Sequence, residues 1–565
     1  MQESYAEGFF SPGAIAAVIL VAAALALPAT LVVLWLYRRS VATAMRRSSG
    51  RPQAAVVPEP PAPGPRPPLA QRYVDAQSAG PAAPPAAALA AEAQRRLRAT
   101  LLVYALAGLA YAIYQGVIVL RADGLELLPI RTAVMVWGHF WPVLVAANLV
   151  AAPGARAQLL ALAGYFAIPL VLAPSMPLAG PTYWAVAMGP STVLLAVFLH
   201  PRLRAAGPLV LAFMLLAVLG AHLAAAAAAT EAGMAWIVNT AVLFDLGSVE
   251  LLLYLALAAF ALFGAVGWLA LDWIRRRYEA KRISDQTLAL DALWLVFAVL
   301  SAEMLLNQSA GWALAGLAGF FAYKLAAIAG FAVLGAGRRA DEPNHRLLLL
   351  RVFGARERSE RLVARAGARW RHVGSIQLIA GTDLATANLE PHEFLDFLRG
   401  RLGERYIGDA DSLERRLAGM DLRPDADGRY RVNEFFCRDD TWKATLGRLA
   451  QSSDVVLMDL RGFSRENQGC IFELNALVAA VPLDRVVLAV DATTDETLLR
   501  QVLDQAWAAL PAGSPNRHRA EPAVTLLRLG TDDAAAARAI VAALARAAAP
   551  AGAAQASSKA FATSS

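Results

Sequence analysis

The chain changes character at Arg338-Arg339, and that division limits its architecture more than any motif does. Before the pair, apolar stretches recur, each close to the roughly 20 residues that cross a bilayer. After it, short apolar runs alternate with amphipathic segments, as in a soluble α/β domain. The sequence is 57% hydrophobic and only 17% charged, against roughly 25% charged in soluble domains. The deficit falls in the part before Arg338.

About nine spans are expected, near 13–37, 99–121, 131–152, 157–175, 181–200, 206–229, 248–274, 286–306 and 311–337. The flank before the first has no Lys or Arg, so it reads as an uncleaved anchor and not a signal peptide. Arg38, Arg39, Arg46 and Arg47 follow it. With nine spans, these arginines fall on the same side as Arg95-Arg96, Arg156, Arg202, Arg275-Arg276-Arg277 and Arg338-Arg339. The positive-inside rule then puts the N-terminus outside and the C-terminal domain in the cytoplasm of a bacterial inner membrane. The net charge of +7 is accounted for by these flanking arginines. The bilayer is therefore the expected partner and nucleic acid is not. The division predicts an anchor at 1–40, a Pro/Ala-rich cytoplasmic linker at 41–95, an eight-helix membrane domain at 96–340, an α/β domain at 341–550 and a disordered tail at 551–565.

Charges inside spans are costly and mark candidate sites. Lys324 sits near mid-span and Glu303 toward the outer end of the preceding span; Asp272 and Asp291 are read as reaching water at inner ends. A carboxylate on a neighbouring helix is the expected partner for Lys324, with Glu303 at a doubtful depth. Cys437 and Cys470 are the only cysteines, too few for a disulfide framework or a CxxC metal site, so no metal is expected.

In the last 225 residues, the runs LLLLRV, SIQLIA, VNEFFC, DVVLMDL, RVVLAVD and 523–529 alternate with helical segments. About six such near-continuous apolar strands imply a mostly parallel, doubly wound, flavodoxin-like sheet covered on both faces. Ligands of such sheets bind beyond the strands' carboxyl ends. That rule selects Arg351, Asp383, Asp439-Asp440, Asp459, Arg461, Ser464, Glu473 and Asp491.

The stretch SSDVVLMDLRGFSRENQGCIFELNALV resembles Toll/interleukin-1 receptor-like (TIR-like) domains, in which a hydrophobic strand leads through a serine-bearing loop into a helix with a Cys-x-x-Glu-Leu start. The matching residues are Asp454 to Leu460, Ser464, Cys470, Glu473 and Leu474; Gly469 stands where the family has tryptophan, and the usual first-strand pattern is absent. The resemblance implies NAD as candidate substrate, Glu473 as the residue driving cleavage of its nicotinamide–ribosyl bond, and self-association through this domain. A carboxylate there would stabilise an oxocarbenium-like ribose, and phosphates would take backbone N–H groups at Gly469 with Arg461 as charge partner. Related nucleoside-handling domains carry a comparable glutamate. Three readings stay open: a signalling or defence protein that binds or cleaves a nucleotide, a transporter or channel with a regulatory domain, and a non-catalytic scaffold.

Overall fold

A computed structural model describes residues 12–45, 67–75, 84–151, 155–172, 184–185, 189–198, 200, 203, 206–306, 308–335, 342–351, 365–380, 391–438 and 440–548. Eleven helices lie before residue 340 among these residues: α1 (Pro12–Met45), α2 (Pro84–Ala122), α3 (Pro129–His139), α4 (Trp141–Ala151), α5 (Ala155–Leu172), α6 (Gly189–Phe198), α7 (Gly207–Ala228), α8 (Glu231–Leu243), α9 (Ser248–Glu279), α10 (Asp285–Leu306) and α11 (Ala310–Val333). Seven segments are long and apolar enough to cross a membrane: α1, α2, the continuous α3–α4 stretch, α7, α9, α10 and α11. This is the composition of a multi-pass membrane protein. The two other expected spans, 157–175 and 181–200, coincide with α5 and α6, and most of the chain between those helices lies outside the described residues.

The long helices form two packed groups. Tyr104 and Tyr111 of α2 and Trp141 of α4 interdigitate with Leu293, Trp294 and Tyr323 of α10 and α11. Ala26 and Leu34 of α1 pack with Leu209 and Leu211 of α7 and Leu271 of α9. Small residues let the backbones approach: a methyl group added at Gly316 would stand 3.1 Å from the Ala302 Cα on α10.

The sheet has eight parallel strands: β1 (Ala70–Asp75), β2 (Leu347–Arg351), β3 (Ile376–Ala380), β4 (Tyr406–Ile407), β5 (Val432–Cys437), β6 (Val455–Asp459), β7 (Val486–Val490) and β8 (Ala523–Arg528), in the order β1-β8-β7-β6-β2-β3-β5-β4. Side-chain alternation builds two cores. Leu348, Leu350, Val456, Met458, Val486 and Leu488 face one side, and Leu347, Leu349, Val455, Leu457, Val487 and Ala489 face the other. On the first face lie α14 (Trp442–Ser452), α15 (Gln468–Ala480) and α16 (Glu496–Ala508); α17 (Asp533–Ala548) covers the second. Two further helices, α12 (Pro391–Leu398) and α13 (Ala410–Ala418), belong to the insertion between β3 and β5.

Three expectations are corrected. First, the Pro/Ala-rich linker contains a strand. Residues 70–75 pair in parallel with β8, Leu69 is buried against the sheet core, and the Trp507 Nε1–H donates to the Pro67 carbonyl at 2.9 Å. The run AQRYVD holds no proline and carries two β-favouring residues, so the composition of its surroundings concealed it. Residues 84–95, also assigned to the linker, are the first turns of α2, and Ala93 lies in the second core of the sheet. Second, β4 and β1 extend both edges beyond the expected six strands. Third, β5-β3-β2-β6-β7-β8 is the doubly wound order 3-2-1-4-5-6, not the five-stranded flavodoxin order 2-1-3-4-5. Both orders put the switch point beside the first strand, here between β2 and β6.

Segment 391–431 docks the sheet onto the helices. Phe394 and Leu395 of α12 are buried among Leu34 and Leu271, and Phe397 meets the Tyr37 ring edge-on at 5.5 Å. Arg399 pairs with Asp272. The loop before β5 grips the α9–α10 junction. The Arg431 guanidinium bonds Asp425 at 2.7 and 3.0 Å, donates to the Tyr278 carbonyl at 2.6 Å and lies over the Tyr278 ring. Lys281 pairs with Asp421, and the Ser284 hydroxyl donates to Asp427 at 2.5 Å. The amino end of β5 thus rests on the α9–α10 junction, while α12 and the carboxyl ends of β3 and β5 pack against α1.

Candidate functional site

At the switch point, Arg351 ends β2 directly beside Asp459, which ends β6. Parallel pairing forces this juxtaposition, because both strands leave the sheet at one level. The chain then turns through Gly462, whose φ of 76° suits glycine, and enters α15 at Gln468. Arg461 folds back onto Asp459, donating from Nε at 2.9 Å and from Nη2 at 2.8 Å. Burial works against the guanidinium's charge, but the Asp459 hydrogen bonds outweigh it and raise its pKa. The carboxyl end of β7 comes to the same edge: the Gly462 N–H donates to Thr493 Oγ1 at 2.9 Å, and the Thr493 hydroxyl donates to Asp491 at 2.5 Å.

The structure therefore gathers Arg351, Asp459, Arg461, Ser464, Gly469, Glu473 and Asp491 around one strand edge or its adjoining helix, as the strand-end rule requires. Asp383 lies outside the described residues. Several of the gathered side chains hold one another. Arg461 is committed to Asp459, Ser464 bonds Asn467 Oδ1 from its N–H and its hydroxyl, and Asp491 orders the turn at Thr493. Gly469 is the second residue of α15, and a side chain there would meet open space.

Glu473 is buried. It lies on the sheet-facing stripe of α15 with Cys470, Leu474 and Leu477 and is only 3% exposed. One carboxyl oxygen, Oε2, is buried without a hydrogen-bond partner. Burial alone pushes its pKa up to about 8, so the acid is mostly neutral at pH 7. One turn earlier, Cys470 is fully buried with its Sγ 3.9 Å from the Arg351 carbonyl, a core position. Cys437 is likewise buried, and burial pushes its thiol up to about 12, which leaves it inert at neutral pH.

The intramembrane pair is also corrected. Lys324 bonds Asp291, Nζ to Oδ2 at 2.5 Å, where Asp291 was expected to reach water. The reason is antiparallel geometry: Asp291 stands about 9 Å into α10, near the level of Lys324 on α11, whereas Glu303 lies about 18 Å further along. The Glu303 side chain itself lies outside the described residues.

Sequence reasoning missed two features. One is the docking loop, DLRPDADGRYR, whose alternating acids and arginines were the available signal. A cleft of about 700 Å³ opens at the amino edge of the sheet, bordered by His345, Arg346, Asp454, Asp484, Arg485 and Arg519. No pattern marks it, because its residues precede four separate strands. Among the described residues no group of His, Cys, Asp and Glu could hold a metal ion. Comparison with protein-family models, curated proteins and solved structures found no match to this chain.

Proposed function

We propose that this chain is a signalling or defence protein of a bacterial inner membrane, whose sheet domain binds a nucleotide at the β2/β6 switch point on the cytoplasmic side. The observation that carries the reading is the meeting of Arg351, Asp459 and Arg461 at that point, with a buried carboxyl one helix away and one of its oxygens unpartnered. Arginine supplies the planar donors that phosphates take, and an uncommitted buried carboxyl is costly unless it has a use. The TIR-like stretch narrows the nucleotide to NAD. Cleavage would need Glu473 ionised, to stabilise the ribosyl cation, and the neutral buried acid corresponds to a resting form. Self-association through this domain is the event proposed to open it.

A second reading, a non-catalytic scaffold, is favoured by the mutual hydrogen bonding of Ser464, Asn467, Asp491 and Thr493, which leaves these strand-end groups satisfied without a ligand. The test uses the full chain in lipid nanodiscs, alone and clustered by a bivalent tag binder. Saturation-transfer NMR reads NAD binding, and chromatography reads nicotinamide release. Binding that is lost in Arg461→Ala supports the first reading, and release that is lost in Glu473→Gln adds catalysis to it. A clustered, folded wild type that neither binds nor releases leaves the scaffold.

A further inference from the structure

The Lys324–Asp291 pair does not stand alone in the bundle. Asp291 Oδ1 has no hydrogen-bond partner, and neither have the nearby Tyr323 hydroxyl and Trp294 Nε1, all buried. Tyr323 is the chain neighbour of Lys324 on α11, and Tyr104 of α2 reaches α10 at Thr287. The Tyr104 hydroxyl is 3.3 Å from Thr287 Oγ1, the Thr287 and Ser284 hydroxyl oxygens lie 3.0 Å apart, and the Ser284 hydroxyl donates to Asp427. Ser284, Thr287 and Asp291 recur at helical spacing along one side of α10. A file of hydroxyls therefore leads from a docking-loop carboxylate, 2% exposed, to Thr287, one helical turn from Asp291. On the far side, fully buried Trp294 stacks on Tyr323 and meets the tilted Tyr111 ring, each ring centroid 4.9 Å away. The pair is thus approached by hydroxyls from the sheet-domain side and closed by aromatic rings on the other.

We propose that Asp291, paired with Lys324, is a proton-exchange site served from the sheet-domain side by Tyr104, Thr287 and Ser284, with Asp427 at its mouth. The inference rests on reading α2, α10 and α11 as membrane-spanning; it is independent of nucleotide binding. The step is a proton relay: a proton entering at Asp427 is passed on as each hydroxyl accepts one proton and releases another, and the Asp291 carboxylate ends protonated with Lys324 still an ammonium ion. The titratable and charged groups that face this path are Lys324 and Tyr323 from α11, Tyr104 from α2, and Asp427 and Arg429 from the docking loop. Because Asp427 sits beside the Asp425–Arg431 clasp, charge at the pair is passed to the contact that holds the sheet domain. Intramembrane acids flanked by such hydroxyls are the usual components of proton relays.

The test uses the full chain in lipid nanodiscs, with integration checked by resistance to alkaline carbonate extraction. Infrared difference spectra between pH values follow the protonated-carboxyl stretch. The expected result is a pH-dependent band that disappears in Asp291→Asn, and whose shift on transfer to D2O is slowed at least tenfold in Thr287→Val and in Tyr104→Phe. Thr287→Val, nearly isosteric, decides the matter if Tyr104→Phe does not fold. A spectrum with no Asp291-dependent band, or exchange unchanged in both hydroxyl variants, overturns the proposal. A carbonate-extractable chain overturns the membrane reading beneath it.

Discussion

The environment of Glu473 makes a prediction that is independent of any ligand. Its folded pKa is raised to about 8 by burial, from the ordinary 4.5. For an acid shifted upward, the folded state holds its proton over a range where the unfolded state has lost it. The neutral acid's contribution is complete below pH 4.5 and is lost as pH rises to about 8. At roughly 1.36 kcal/mol per unit, the loss across that window is about 5 kcal/mol. Glu473→Gln keeps the shape and removes the titration. Hydrogen exchange by mass spectrometry on the full chain in nanodiscs reads the local opening free energy of peptides covering β6 and α15, after correction for the intrinsic pH dependence of exchange. Wild-type protection should fall by several kcal/mol between pH 5 and pH 9. The glutamine variant should stay nearly flat, so that it becomes the more stable protein at high pH. Parallel pH profiles for the two proteins would refute the argument and mean that the carboxyl finds a charge-stabilising partner or water.

Other consequences follow from neighbouring features. Arg431→Met should weaken docking by about 3–5 kcal/mol, because it strands Asp425, 1% exposed, without its main partner; unchanged exchange in peptide 419–431 would contradict this. Burial, resisted by Arg431, raises Asp425 to about 6, so Asp425→Asn should flatten any loss of docking between pH 4 and pH 7 measured by the same exchange. Replacing residues 67–75 by a Gly/Ser segment of equal length should strip β8 of its outer neighbour and raise exchange in 523–528; intact protection there would mean that β1 is dispensable. Gly374→Ala would drive a methyl group into the His345 carbonyl and should lower the thermal midpoint through about 1–3 kcal/mol of overpacking, read by a melting scan.

The apolar runs made the parallel sheet legible, since LLLL, VVLM and VVLA bury both faces and leave no polar side to confuse the pattern. The strand-end rule then collected Arg351, Asp459, Arg461 and Asp491 without a motif. Tertiary facts were not legible. Whether Glu473 points to solvent or to the sheet depends on which stripe of α15 is covered, and α14 and α16 decide that from elsewhere in the chain. Asp291 looked like a water-facing inner-end acid because sequence position does not show which antiparallel neighbour stands at its level. AQRYVD is too short and too polar to announce a strand; it becomes one because β8 offers an open edge.

That edge also sets the timetable of folding. Pro67 and Trp507, joined by a hydrogen bond, are 440 residues apart in the chain. During synthesis β1 emerges long before β8, so β1 must wait unpaired while the helical bundle is made between them. Closing so long a loop costs little more free energy than closing one of half the length, but contacts this distant in sequence form slowly. The sheet can be sealed at its β8 edge only after every helix between β1 and β8 has been made.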